Sequence, residues 1–73
     1  MRLIYDPEAD AADIVLGDMS SFVEEHVPSV HTPGATLILR FDEHKKLVGI
    51  EVLGASVILP AGCLRDAVEG GAD

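Results

Sequence analysis

Positive charge is scarce in this chain. Arg2, Arg40, Lys45, Lys46 and Arg65 stand alone against thirteen Asp and Glu, a formal net charge of −8 over 73 residues. A phosphate backbone needs a basic face, and five scattered cations do not make one, so direct nucleic-acid binding is not expected. Cysteine is scarcer still. A lone Cys63 excludes an intrachain disulfide and fits a reducing compartment. No apolar run is long enough to span a bilayer, and the opening MRLIYDPEAD turns acidic at once, unlike a signal peptide. A cytoplasmic chain with no membrane partner is the expectation.

The groups that catalysis needs are equally thin. His26, His31 and His44 lie in three separate segments without ligand-like spacing, and only Cys63 could add a thiolate to a zinc site. Ser20, Ser21, Ser29 and Ser56 have no elbow or triad context. Glu24 and Glu25 would point to opposite faces of a strand and could not share a substrate. No glycine loop suited to a phosphate is expected, since Gly70 and Gly71 lie in the expected tail. Asp6, Glu8, Asp10 and Asp13 begin like a calcium loop. The sixth position would be Ala11 rather than Gly and the twelfth Gly17 rather than Glu, so an EF-hand is excluded. Asp6 and Asp10 are expected to cap a turn instead. Cys63 is expected to pack in a short helix. The chain thus reads as no enzyme, with no cofactor and no metal.

What the chain has is aliphatic: eight Leu, eight Val and five Ile. The stretch from Leu37 to Leu53, LILRFDEHKKLVGIEVL, reads as a β-hairpin, two apolar runs around one polar break. Leu37, Leu39 and Phe41 share one face of the first strand, and Val48, Ile50 and Val52 share one face of the second. The expected register sets Glu43 opposite Lys46, Phe41 opposite Val48, Leu39 opposite Ile50 and Leu37 opposite Val52. Lys45 would need a positive φ in a tight primed turn, so a four-residue loop from Glu43 to Lys46 is favoured. On the other face Gly49 lies opposite Arg40, leaving room for the guanidinium to lie over the sheet. Glu51 lies diagonal to Arg40, within reach of an ion pair. Arg40 and Glu51 are the candidate contacts for a ligand or partner; the plainer expectation is a half-exposed pair worth ~0–1 kcal/mol.

The remaining elements follow from punctuation. Arg2 to Tyr5 is an expected strand ended by the turn at Asp6-Pro7, and Ala12 to Gly17 an expected return strand. Phe22 to Val27 suits an edge strand with one wet face. Gly54-Ala55-Ser56 breaks the second hairpin strand. Val57 to Leu59 extends it or begins a turn, and Pro60 opens a helix over Ala61 to Val68. The expectation is one α+β domain over residues 1–69, an antiparallel sheet of four to five strands with one short C-terminal helix, and a disordered tail over 70–73.

Two segments carry a resemblance. YDPEADAADIVL, followed by FDEHKKLVGIEVLGAS, resembles the YuzE-like family of small bacterial proteins, a domain of unknown function. Tyr5 to Ala11 match its first motif, and Leu47 to Leu53 with Ala55 and Ser56 match its second. The chain departs at His44 and Lys45, where the family often has Asp-Gly, and in a longer connection from Pro28 to Thr36. The resemblance implies a small β-rich domain and brings no activity, cofactor or catalytic residue.

Runs such as LVGIEVL and ASVIL are apolar on both faces, which implies cover on both: a helix on one and a second subunit on the other. The leading expectation is therefore a non-enzymatic homodimer or higher homo-oligomer acting as a structural or protein-interaction module. Two alternatives stand beside it. One is an acidic, antitoxin-like neutraliser of a basic toxin or nuclease, aided by charge steering. The other is a small-anion binder built around Arg40 at a subunit interface.

Overall fold

The computed structural model describes residues 1–69. The segment expected to form a tail, 70–73, lies outside the described residues. Five antiparallel strands form the sheet: β1 (Arg2–Asp6), β2 (Ala11–Val15), β3 (Val23–Pro28), β4 (Thr36–Phe41) and β5 (Leu47–Leu53). Two short helices follow, α1 (Ala55–Ile58) and α2 (Ala61–Arg65), and a two-residue strand β6 (Val68–Glu69) runs parallel to β1. The strand order is β3-β4-β5-β2-β1-β6. The fold is α+β.

The antiparallel count meets the expected upper figure, but the C-terminal third differs. Instead of one helix from Ala61 to Val68, the chain makes a single turn at α1, then α2, which stops at Arg65. Gly54 is the reason for the first turn. Its φ of 75° reverses the chain directly after β5, so Val57 to Leu59 leave the sheet rather than extend it. Asp66 then ends α2, and Val68, expected to be helical, pairs with Ile4 at the sheet edge.

The register places Leu3 beside Ile14, Tyr5 and Val52 on either side of Ala12, Ile50 beside Ile14, and Leu37 beside Val52. These side chains therefore share one face. Ala12, Val52 and Ala55 are fully buried at its centre, with Ile58, Leu59 and Leu64 of the helical segment packed over them. Val52 is the one large side chain of the described residues below 2% exposure. The core is small: three fully buried residues, with Leu37 of β4 among the partly buried side chains that border them.

The β4–β5 hairpin reaches its expected register by a different route. Leu39 faces Ile50, Leu37 faces Val52 and Arg40 faces Gly49, as the alternation implies. Phe41, however, faces Leu47 rather than Val48, because the register shifts between Arg40 and Phe41. The loop accounts for this. Asp42 N–H donates to Lys46 O (2.9 Å) and Lys45 N–H donates to Asp42 O (3.0 Å), leaving Glu43, His44 and Lys45 as a three-residue loop. Glu43 is therefore not opposite Lys46. Lys45 itself takes the positive φ, 63°, where the four-residue loop would have avoided it. A three-residue loop ending in a left-handed residue is a standard hairpin closure. The Asp42 carboxylate holds it together, accepting N–H groups from His44 (2.8 Å) and Lys46 (3.0 Å). The bulge at Val48 then restores the parity that the odd loop length removed.

The second face is not left entirely for another subunit. The segment between β2 and β3 folds back so that Met19 lies over Gly49 and Phe22 over Arg40. Ile38, on this same face, is only 5% exposed. No helix of the described residues is long and apolar enough to cross a membrane.

Candidate functional site

Arg40 is the penultimate residue of β4, with Glu24 of β3 beside it on one side and Gly49 of β5 on the other. Two residues along β5, Glu51 pairs with Asp13 of β2. The guanidinium reaches all three carboxylates. Its Nε donates to Glu24 Oε2 (3.2 Å), Nη1 to Asp13 Oδ1 (3.1 Å) and Nη2 to Glu51 Oε1 (2.9 Å). The Phe22 ring lies over it, 4.9 Å from ring centre to guanidinium carbon. The Arg40 side chain is 13% exposed, against 24% for Glu51, 37% for Glu24 and 38% for Asp13.

The Arg40–Glu51 diagonal is thus formed, but as one arm of a four-strand staple. Asp13 and Glu24 were missed because pairing of β2 with β5 and of β3 with β4 cannot be read from the hairpin alone. The space over Gly49 also has a different use. A Cβ there would collide with the Met19 sulfur, so the gap admits a thioether. Chemically the cluster holds four strands in register. Each guanidinium nitrogen is engaged, and an incoming anion would meet three carboxylates around the one cation.

A second polar cluster joins the β1–β2 turn to the start of α1. Asp10, at the close of the β1–β2 turn, adopts a left-handed φ of 51°, a conformation Asp tolerates better than most residues. Its main-chain oxygen accepts the N–H groups of Gly54 (3.0 Å) and Ala55 (2.9 Å). Its carboxylate accepts Ser56 N–H (2.9 Å) on Oδ1, Ser56 O–H (2.7 Å) on Oδ2 and Tyr5 O–H (2.8 Å) on Oδ1. The expected turn-capping role belongs to Asp6, whose Oδ1 accepts from Glu8 (3.1 Å) and Ala9 (3.4 Å). Asp10 caps α1 from 46 residues away, satisfying N–H groups that a helix start leaves without partners. These bonds, the Ser56 hydroxyl first, hold the Asp10 carboxyl below its usual value of 3.8. The bond to Asp10 raises the Tyr5 phenol above 10.0.

Tyr5, Asp10 and Ser56 look like pieces of an acid–base site. A serine nucleophile needs a base to take its proton; the carboxylate that accepts the Ser56 O–H is held below its usual pKa and is a weak one, and among the described residues no histidine bonds to this group. His26 lies 3.6 Å from Glu24 and His44 3.7 Å from Glu43, both on exposed surface. Asp6, Asp10 and Asp13 turn to three different tasks, and no group of three or more His, Cys, Asp or Glu side chains among the described residues is placed to hold a metal. Cys63 is exposed on α2 rather than packed.

No match was found to curated proteins or to solved structures. A family model described as "Protein of unknown function (DUF2283)" matches residues 2–56, which takes in all five antiparallel strands, the Arg40 staple and the Asp10–Ser56 tie. The chain belongs to that family of unknown function.

Proposed function

We propose that this chain is a non-enzymatic, homo-oligomeric interaction module of the cytoplasm, whose sheet is the contact element. The observation that carries the reading is β3. All six of its residues are exposed, it has β4 as its one neighbour among the described residues, and Val23 and Val27 on it are 68% and 38% exposed. Among the described residues the other edge of the sheet is the two-residue β6, too short to offer a comparable ladder. A long edge of unpaired main-chain groups is a template for a further strand. Both polar clusters serve this reading, because each is filled by the chain's own groups and stiffens the sheet. The segments that resemble the YuzE-like motifs, Tyr5 to Ala11 and Leu47 to Leu53 with Ala55 and Ser56, supply sheet strands and the Asp10–Ser56 tie rather than a reacting group.

Sedimentation equilibrium or light scattering over micromolar concentrations tests the proposal. An assembly larger than one chain, with mass rising with concentration, is expected. A single-chain mass throughout that range would overturn it.

A further inference from the structure

The main-chain groups of β3 alternate between β4 and solvent, and the parity is fixed. Ser29 N–H donates to Ala35 O at 3.0 Å. Bonded partners recur at every second residue, so Val27, Glu25 and Val23 turn their main-chain groups to β4. Glu24, His26 and Pro28 turn theirs outward, and Pro28 has no N–H to give. Only outward-facing residues of two edges can exchange bonds, which leaves few antiparallel registers.

From this edge we infer that β3 pairs antiparallel with β3 of a second copy, Glu24 of each opposite His26 of the other. The inference rests on the homo-oligomer reading and specifies its interface. Side-chain chemistry selects the register. On one face Glu24 meets His26 of the second copy, an acceptor against an imidazole that donates in either protonation state. On the other face Val23 meets Val27 of the second copy, joining the two exposed valines of each edge. The two-fold axis repeats both pairs and places the two Glu25 side chains opposite each other. Shifting so that His26 faces its own copy sets Glu25 against Val27 and Glu24 against Pro28, losing the apolar pair. Shifting the other way sets Glu24 against Glu24 and Val23 against Glu25, which keeps a like-charge pair and loses the apolar one. Shifting further toward Pro28 brings two residues without an N–H into the ladder. One register keeps opposite chemistry on one face and apolar contact on the other.

The same edge resists open-ended stacking. Pro28, with no N–H, ends the ladder, while the two Glu25 side chains at the axis are a cost the matched register itself carries. A two-fold pairing uses up the edge, so the product is a closed dimer with one sheet running through both copies.

Disulfide trapping reads the register directly. With Cys63→Ser as background, Glu25→Cys places two thiols across the axis in a non-bonded pair. The expected Cα separation is about 4.5 Å, inside disulfide range. His26→Cys in the same background leaves its thiols on a diagonal, with Cα atoms about 7–8 Å apart, too far to bridge well. Both sites are exposed, and circular dichroism confirms that each variant folds. The expected result is a covalent dimer for Glu25→Cys under mild oxidation and predominantly monomer for His26→Cys. A dimer formed by His26→Cys instead would overturn the register. If neither variant links while the unmodified chain sediments as an oligomer, the edge pairing falls and the homo-oligomer reading survives. A monomeric unmodified chain removes both.

Discussion

Replacing Arg40 with Met removes the charge of the staple and keeps most of its aliphatic stem. The Glu51 arm is the shortest at 2.9 Å and the least exposed, so about 1 kcal/mol is assigned to it, the upper end for an ion pair near the surface. Glu24 and Asp13 are each more than a third exposed, and solvent screening reduces them to roughly 0.3–0.5 kcal/mol apiece. The Phe22 ring adds roughly 0.5 kcal/mol as a cation–π contact. Without the guanidinium, three carboxylates would be left together with no cation between them. The sum is a loss of about 2 kcal/mol, equivalent to about 8–16 °C in Tm for a domain of this size. Urea denaturation at fixed protein concentration measures it, since assembly would otherwise shift the midpoint. Double-mutant cycles with Glu51→Gln, Glu24→Gln and Asp13→Asn should rank the couplings with Glu51 first. A loss below about 0.5 kcal/mol, the range of an ordinary surface substitution, would refute the staple as a stabilising device.

Three further outcomes follow from the turns and caps. Asp10 has a depressed folded pKa, so its contribution is present above the unfolded value and fades as pH falls through the folded one. The Tyr5 phenol has a raised pKa, so its contribution is present below the unfolded value and is lost as pH rises through the folded one. Asp10→Asn should therefore flatten the acid limb of a stability–pH profile and Tyr5→Phe the alkaline limb; unchanged limbs would contradict the bonding. Asp42, depressed chiefly by the Lys46 N–H, will keep part of the acid limb in the Asp10 variant. Gly54→Ala should cost about 1–2 kcal/mol in thermal or chemical melts, because φ is 75° and the new Cβ would stand 2.7 Å from Gly34 O. Lys45→Gly should stabilise by roughly 0.5–1 kcal/mol, since the residue already holds a left-handed φ; a destabilised variant would refute the loop geometry.

Local chemistry was legible in the sequence where a period or a breaker governs it. The alternation from Leu37 to Leu53 gave the facing of Leu37 with Val52, Leu39 with Ile50 and Arg40 with Gly49, and the Arg40–Glu51 diagonal followed from it. The same rule failed next to the loop, where the choice between two or four loop residues and three depends on whether Lys45 tolerates a left-handed φ. Propensity speaks against it, but the Asp42 carboxylate binds the N–H groups of that turn and tips the balance. Contacts set by tertiary pairing left no local trace. Asp13 and Glu24 carry nothing in their own segments that names Arg40. The fate of Gly54 turns on the distant Asp10, and α2 yields Val68 to the edge of β1.

The bond between Asp10 and Ser56 gives the order of assembly a physical constraint. A four-residue helix cannot persist alone, since nucleation is unfavourable and α1 is a single turn. Its first N–H groups are held by a residue that reaches them only after β2 has docked on β5. The helix therefore depends for its first N–H partners on the N-terminal hairpin being in place. During synthesis the clasp cannot close until Ser56 has emerged from the ribosome. The family match over residues 2–56 takes in both partners of that clasp.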